Sequence, residues 1–542
     1  MSELNDTVDV TISLAARPLT RPGFNTLLFL SMHRAWSDLI KYYEDAADML
    51  DDGFSETDDA YLAAASYFKQ KAKPKKLAVG RIKTDDAVTI SVVTVDNASK
   101  YSLVIDGIGF DYTSDATATT NEIEAGLTTA VNSGYAITAA SATNDTFTIA
   151  GNHKDSFRVG KQFRVTGSTN NNGTYTVESV ALSGGSTVIT VEEEVPSASG
   201  TMGNLLPKTA VTVTNSVVWD GKISVAPNVA ATFFEVGVSA NLRADFTIDA
   251  TMTSALTDIE AVDKTGWYMA ALAHQWETTE SPAQADVQAD LEEALADEIE
   301  TRMKMLVIGS PDANIVNVAK ASDDQVTGSI ARRLQGKGYQ NSFVLYSTQA
   351  DNGLDQDGNE GANPDPYADV AWAGERLPYT PGTENWKFAQ LTGVTSDDLT
   401  DTQRTNAKAK NANYYVPLTE DISVTGQGTV GDGSFIDLVR LSHALDNEIK
   451  LAVAEAFVNP KAPLAKVPFT AEGIAALEMA MRKALDKYTG ANRGLASYEI
   501  DMPDIDDVSD TDKGNRVLDG VTFTAVASGA LNSAVIKGYV TP

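Results

Sequence analysis

Met305-Leu-Val-Ile308, then Ser322-Asp-Asp-Gln325 leading to Ile330 and Leu334, then Ser342-Phe-Val-Leu-Tyr346: these residues decide the fold. The two apolar runs have no polar alternation, as expected of strands buried on both faces. The acidic stretch between them has the Ser-x-x-Gln spacing of a capping box and predicts a helix. Upstream, Trp267–Ala273 is a third apolar run. Ser281-Pro282-Ala283-Gln284 then opens a helix whose stripe is Val287, Leu291, Leu295, Ile299 and Met303. Strand, helix, strand, helix, strand implies a parallel or mixed sheet with helices on its faces.

Working outward, Thr26–Leu30 reads as a buried strand, 36–50 and 57–71 as helices, and Leu77–Ile82 as another strand. Downstream, Asn411–Val416 and Ile422–Gly426 are predicted strands, and Phe435–Phe457 and Thr470–Lys487 are helices. The second of these carries Ile474, Leu477, Met481 and Leu485 on one side. Glu499–Asp512 is a dense acidic loop, and Val521–Ala527 and Ser533–Val540 are closing strands. Between about 88 and 222 Thr, Val, Gly and Asn dominate, with strands at Val88–Val95, Tyr101–Ile105, Gly109–Thr113, Tyr135–Ala139, Thr146–Ile149, Gln162–Thr166, Gly173–Val180 and Thr187–Val191. Asn121–Asn132 is the one clear helix there, and Asn170–Gly173 and Ser183–Gly185 are turn signals.

The expected fold class is α/β (α+β) and multidomain: a mixed-sheet core flanked by helices, inserted all-β modules, and extended terminal strand arms. The expected divisions are an N-terminal arm 1–22, core 23–87, two β modules in series 88–151 and 152–222, α/β core 223–458, a helical part 459–520 and a C-terminal arm 521–542.

The chain has 542 residues, no cysteine, and 42 Lys+Arg against 74 Asp+Glu, a net charge of −32. Such a charge disfavours a nucleic-acid coat and an anionic membrane as partners. Without cysteine there is no disulfide, zinc-thiolate site or thiol nucleophile. No apolar run reaches the length of a membrane span, and the acidic, polar start is unlike a secretory signal.

Few stretches suggest chemistry. Gly426-Gln-Gly428-Thr-Val-Gly431 matches a dinucleotide fingerprint, but no second strand with a ribose-binding acid follows at the required spacing; a loop before a long helix accounts for it. Asp355, Asp357 and Asn359 start like a calcium loop, but Glu360 stands where Gly is required and Pro366 where the bidentate Glu belongs. His33, His153, His274 and His443 lie in no metal-type spacing. There is no nucleophile elbow and no phosphate-binding GK[ST] loop. The expectation is a non-enzyme with no catalytic residue, metal or cofactor.

An ordered set of stretches resembles the tail sheath proteins of contractile-tailed bacteriophages: Val10–Leu14 with Gly23-Phe24 and Leu27–Leu30; Pro381-Gly-Thr-Glu-Asn-Trp386-Lys-Phe with Leu391–Thr395; Asn411-Ala-Asn413 leading to Gly426-Gln-Gly428-Thr and Phe435–Arg440; Val467–Thr470 with Gly473–Leu477; and Val521–Phe523 through Gly529-Ala530 to Val535–Gly538. It covers roughly 1–85 and 223–542. The resemblance implies a subunit that stacks as hexameric rings in a helical array around a tail tube. It implies tube, baseplate and tail terminator proteins as partners, and contraction that drives the tube through the host envelope. It implies no nucleic-acid binding, no membrane insertion and no cofactor, and a place in the virion after assembly in the host cytoplasm. The alternatives are a virion surface adhesin or a glycan-active enzyme with accessory β modules.

Val8, Val10, Ile12 and Leu14 alternate with Asp9, Thr11 and Ser13, the pattern of a half-buried strand. Either it completes its own domain's sheet or it is donated to a neighbour, and Val535, Ile536, Tyr539 and Val540 pose the same choice. These eight are the candidate inter-subunit residues, by strand addition. Lys73, Lys75 and Lys76, in the one strongly basic stretch, and Asp504, Asp506 and Asp507 are candidate electrostatic contacts between subunits, or else two solvated surfaces.

Overall fold

A computed structural model describes residues 23–247, 251–274, 283–349, 367–458 and 466–532. Its centre is an eight-stranded mixed sheet. In spatial order the strands are Ile40–Tyr43, Leu77–Ile82, Leu27–Met32, Met269–Leu272, Met305–Ser310, Ser342–Tyr346, Asn413–Thr419 and Ile422–Gly426. The six inner strands are parallel, and the two edge strands run antiparallel to their neighbours.

Consecutive residues of an inner strand face opposite layers. Leu27 and Phe29 join a core with the Asp59–Phe68 and Ala368–Arg376 helices, whereas Leu28 and Leu30 join one with the Met252–Val262, Ala283–Glu300 and Ile330–Lys337 helices. Both faces are covered, which is why these strands read as unbroken apolar runs. Gly80 lets the Met252–Val262 helix come close: a Cβ there would lie 2.8 Å from Ile259 Cδ1.

The sequence reading needs four corrections. The helix expected over 36–50 is instead the Ile40–Tyr43 edge strand followed by a short Ala47–Asp51 helix. Ile40 and the two tyrosines suit a pleated, half-buried surface, and pairing with Leu77–Gly80 overrides any helical pattern. Ser322–Gln325 does not start a helix. The helix spans Ile330–Lys337 with Ser329 as N-cap residue, and the buried Asp323 accepts hydrogen bonds from the Ser329 backbone at 3.0 Å and hydroxyl at 2.7 Å. The expected acidic loop begins inside the Leu495–Asp501 strand and ends inside the Asp510–Asn515 helix.

The fourth concerns the β-rich region, which is nested rather than serial and runs on to Asp245. Val88–Val92 pairs with Lys222–Pro227 and Leu242–Asp245, and Lys100–Ile105 pairs with Val236–Val238. Inside this frame six strands between Tyr135 and Pro207 close a small barrel. One core runs through both: Tyr101 and Phe110 of the frame share it with Phe147, Phe163 and Tyr175 of the barrel. The whole unit lies within the connection from Leu77–Ile82 to Met269–Leu272.

Beyond the sheet, the Ile436–Val458 and Ala471–Asp486 helices pack together. A core of Leu441, Leu445, Leu485, Tyr488 and Leu495 joins them to a two-stranded antiparallel sheet, Leu495–Asp501 with Thr522–Ala527. No helix among the described residues is long and apolar enough to cross a membrane.

Candidate assembly site

The eight arm residues, Val8, Val10, Ile12, Leu14, Val535, Ile536, Tyr539 and Val540, lie outside the described residues, as do Ser281, Pro282 and the Asp355–Glu360 loop. The described residues nearest the two terminal segments are anchored to the body. Gly23 donates its backbone N–H to Thr265 O at 2.9 Å. Phe24 O and Asn25 Oδ1 accept from the Arg440 guanidinium at 3.0 and 3.4 Å. At the other end, Asn532 is held through its backbone O by Lys387 Nζ at 2.8 Å and through Oδ1 by Asn385 Nδ2 at 3.0 Å.

Arg440 is the organising residue. It is wholly buried on the Ile436–Val458 helix, and its Nη1 lies 2.5 Å from Glu384 Oε1, also wholly buried. Nη2 further donates to Leu377 O at 2.7 Å and Tyr379 O at 3.0 Å. A buried guanidinium needs this many acceptors to offset its lost hydration. Around the same loop, Trp372 Nε1 and Thr425 Oγ1 both donate to Trp386 O, at 3.1 and 2.8 Å. Arg440 and Trp386 stood in the resembling stretches, but no periodicity marks an arginine as interior.

The sheet of Leu495–Asp501 with Thr522–Ala527 has two strands among the described residues. Among the described residues each strand has one partner strand; Leu495 also bridges Thr489, and beyond it the outer backbone groups of both strands face no further strand. Phe523 and Val526 on the second strand are 41% and 52% exposed. Two strands alone are marginal in water, and a third adds ladder hydrogen bonds and apolar contact.

The charged candidates are at the surface. Lys73 and Lys75 are exposed, and Lys76 Nζ sits 3.5 Å from the centre of the Tyr42 ring. Arg81, from the same basic stretch, turns inward to Ser37 O and Asp38 O. Asp504, Asp506 and Asp507 are exposed in a turn, where Asp504 Oδ1 accepts from the Asp506 N–H at 3.0 Å. Among the described residues the two groups make no ion pair with each other.

The glycine loop has an internal occupant. Asn413, wholly buried, accepts with Oδ1 from Gly428 N at 2.8 Å and Thr429 N at 2.9 Å, and donates with Nδ2 to Val344 O and Thr429 O. Its side chain occupies the amides that a phosphate-binding turn would present.

In open α/β sheets ligands favour the crevice at the strand ends where strand order reverses. Here that crevice lies between Leu27–Met32 and Met269–Leu272, and the β insertion covers it. Val236 N donates to Arg34 O at 2.9 Å, and the Arg34 guanidinium packs 4.8 Å from the Phe234 ring. Val236–Val238, Ala244 and Phe246 line the small remaining cavity with Phe54, His33, Asp58 and Asp59. Burial holds His33 well below its usual pKa and pushes Asp58 up to about 7 and Asp59 to about 6, the latter accepting from the Tyr367 hydroxyl at 2.6 Å. The other histidines are dispersed: His443 shares a hydrogen bond with Tyr268, His274 stacks on Tyr367, and His153 lies in the insertion. No group of three metal-ligating side chains occurs among the described residues.

Fold and site together define a mixed α/β protein with a β-barrel insertion and an open two-stranded sheet beside the attachment points of both terminal segments. No protein-family model and no curated protein matches the chain. Among solved structures it is similar to the sheath tail protein Lin1278 from Listeria innocua, at 9% identity and a TM-score of 0.41, over 94% of this chain and 96% of that one. It is also similar to the contracted helical sheath of the anti-feeding prophage, at 15% identity and a TM-score of 0.36, over 55% of this chain and 78% of that one. A third similar structure is the contracted sheath complex of the extracellular contractile injection system PVC, at 12% identity and a TM-score of 0.36, over 55% and 76% of the two chains.

Proposed function

We propose that the chain is the structural subunit of a contractile tail sheath, not an enzyme. Subunits stack as hexameric rings around a tail tube, bounded by baseplate and tail terminator proteins, and contract to drive the tube through the host envelope. They assemble in the host cytoplasm and reside in the virion, without binding nucleic acid or inserting in a membrane. The observation that carries this reading is the sheet of Leu495–Asp501 and Thr522–Ala527, which has no third strand among the described residues and lies beside the anchored residues Phe24 and Asn532. A strand from a neighbour, alternating as Val8, Val10, Ile12 and Leu14 do, completes such a sheet. The Val535, Ile536, Tyr539 and Val540 segment is a second donor. Lys73, Lys75 and Lys76 then face Asp504, Asp506 and Asp507 of adjoining subunits and help select register, since exposed ion pairs add little stability.

Electron microscopy of the purified chain tests the proposal. Stacked rings or helical tubes are expected, and deletion of residues 1–16 is expected to leave folded monomer that no longer polymerises. Dispersed particles under all conditions refute the sheath reading, and tubes from the truncated chain refute the arm.

A further inference from the structure

The loop that holds Arg440, and through it Phe24 and Asn25, also holds Asn532. Along residues 377–387, Leu377 O and Tyr379 O hold Arg440, Glu384 pairs with it, and Asn385 and Lys387 hold Asn532. Glu384 and Asn385 are neighbours in the chain, and Asn385 Oδ1 also accepts from Lys387 N at 3.0 Å. The path from Phe24 to Asn532 therefore runs through Arg440, Glu384 and Asn385 as a continuous chain of hydrogen bonds and one peptide link. Trp386, the next residue along, is wholly buried, and its carbonyl is held by Trp372 Nε1 and Thr425 Oγ1. The same loop touches the open sheet: a Cβ on Gly382, whose φ is +81°, would lie 2.9 Å from Gly494 Cα and 2.9 Å from Leu441 Cδ1, while Ser528 N donates to Gly494 O at 2.8 Å.

We infer that residues 377–387, with Arg440, form a mechanical coupler that ties the attachment of residues 23–25 to that of residues 528–532, so that displacement at either end is transmitted to the other. Its use rests on the proposed function: in a mesh joined by terminal strands, load arriving at one connection reaches the opposite one through a rigid relay, bypassing the β insertion. The coupling itself is a property of the single chain. Packed side chains and hydrogen-bond networks carry such couplings at magnitudes of roughly two- to thirtyfold in a local equilibrium.

Amide hydrogen exchange on the soluble full-length chain tests it. Lys387→Met removes a contact to Asn532 and touches nothing at Gly23–Thr26. The expected result is faster exchange at Ser528 and also, by roughly two- to thirtyfold, at Gly23 and Thr26, whose amides donate to Thr265 O and Gly23 O. Glu384→Gln, which keeps the shape but removes the charge, is expected to weaken that transmission, so that Lys387→Met in its background perturbs only the C-terminal side. Asn385→Ala serves as the second perturbation if Lys387→Met does not fold. Perturbation confined to 528–532 in the otherwise native chain overturns the coupler. Failure to form tubes, with coupling intact, overturns the sheath reading and leaves the coupler standing.

Discussion

Arg440 Nη1 and Glu384 Oε1 stand 2.5 Å apart, and neither side chain reaches solvent. One comes from a long helix and the other from an irregular loop 56 positions earlier in the chain. Breaking a buried pair by removing one partner strands a charge and costs about 3–5 kcal/mol. Glu384→Ala is therefore expected to lower the urea midpoint of the α/β body substantially, and the double change Glu384→Met with Arg440→Met to lower it less. A Glu384→Ala midpoint equal to that of the parent contradicts the buried pairing.

Buried carboxyls make the protein sensitive to alkali. Burial raises Glu292 to about 8, Asp369 to about 7 and Asp58 to about 7. Because these folded values lie above the unfolded ones, near 4, their contribution is full below about pH 4 and is lost as pH rises through the folded values. His443 has the opposite sense: burial lowers it to about 4, so its contribution is lost only on acidification below about 6.5. Between pH 6.5 and 7.5 these carboxyls outweigh Lys304, which burial lowers to about 7 and whose contribution has the opposite sign. The thermal midpoint is expected to fall across that interval, and Glu292→Gln with Asp369→Asn to flatten the fall. A midpoint independent of pH there removes the basis for neutral buried carboxyls.

Asn413 closes the glycine loop. With Asn413→Ala, the Gly428 and Thr429 amides lose their acceptor, and each unsatisfied buried group costs about 1–3 kcal/mol. Exchange at these two amides is expected to accelerate sharply, whereas the parent shows protection without any nucleotide present. Strong protection persisting in the variant would mean that another group holds the loop.

In the proposed assembly, net charge is expected to act as a brake. At −32 per subunit, like-charge repulsion opposes close packing of free chains. Raising ionic strength from 0.01 to 0.1 M shortens the screening length from about 30 to about 10 Å. Spontaneous polymerisation, followed by light scattering, is expected to increase over that range. Indifference to salt counts against repulsion as the brake.

Much of the core was legible because its signals are local. Ile422–Gly426 appears as a strand at the expected residues, and the Ala471–Asp486 helix begins at Thr470, whose hydroxyl accepts from Gly473 N. Illegible features depend on distant partners. Ile40–Tyr43 is a strand because Leu77–Gly80 lies beside it. Val88–Val92 lies between strands more than 120 residues downstream, so the nested insertion leaves no mark in local pattern.

From the sequence alone came the buried strands of a parallel or mixed sheet, part of its helical cover, the acidic character and the alternating terminal segments, since apolar periodicity and charge are written residue by residue; the Met252–Val262 and Ala368–Arg376 helices were not among them. Tertiary structure decided which strand lies beside which, that the insertion covers the crevice at the sheet's reversal point, and that Arg440, Glu384, Asn385 and Lys387 join the attachments of both ends. The reason is physical: a buried charge and its acceptors are identified by where the folded chain brings them, and no periodicity in any one segment records that meeting.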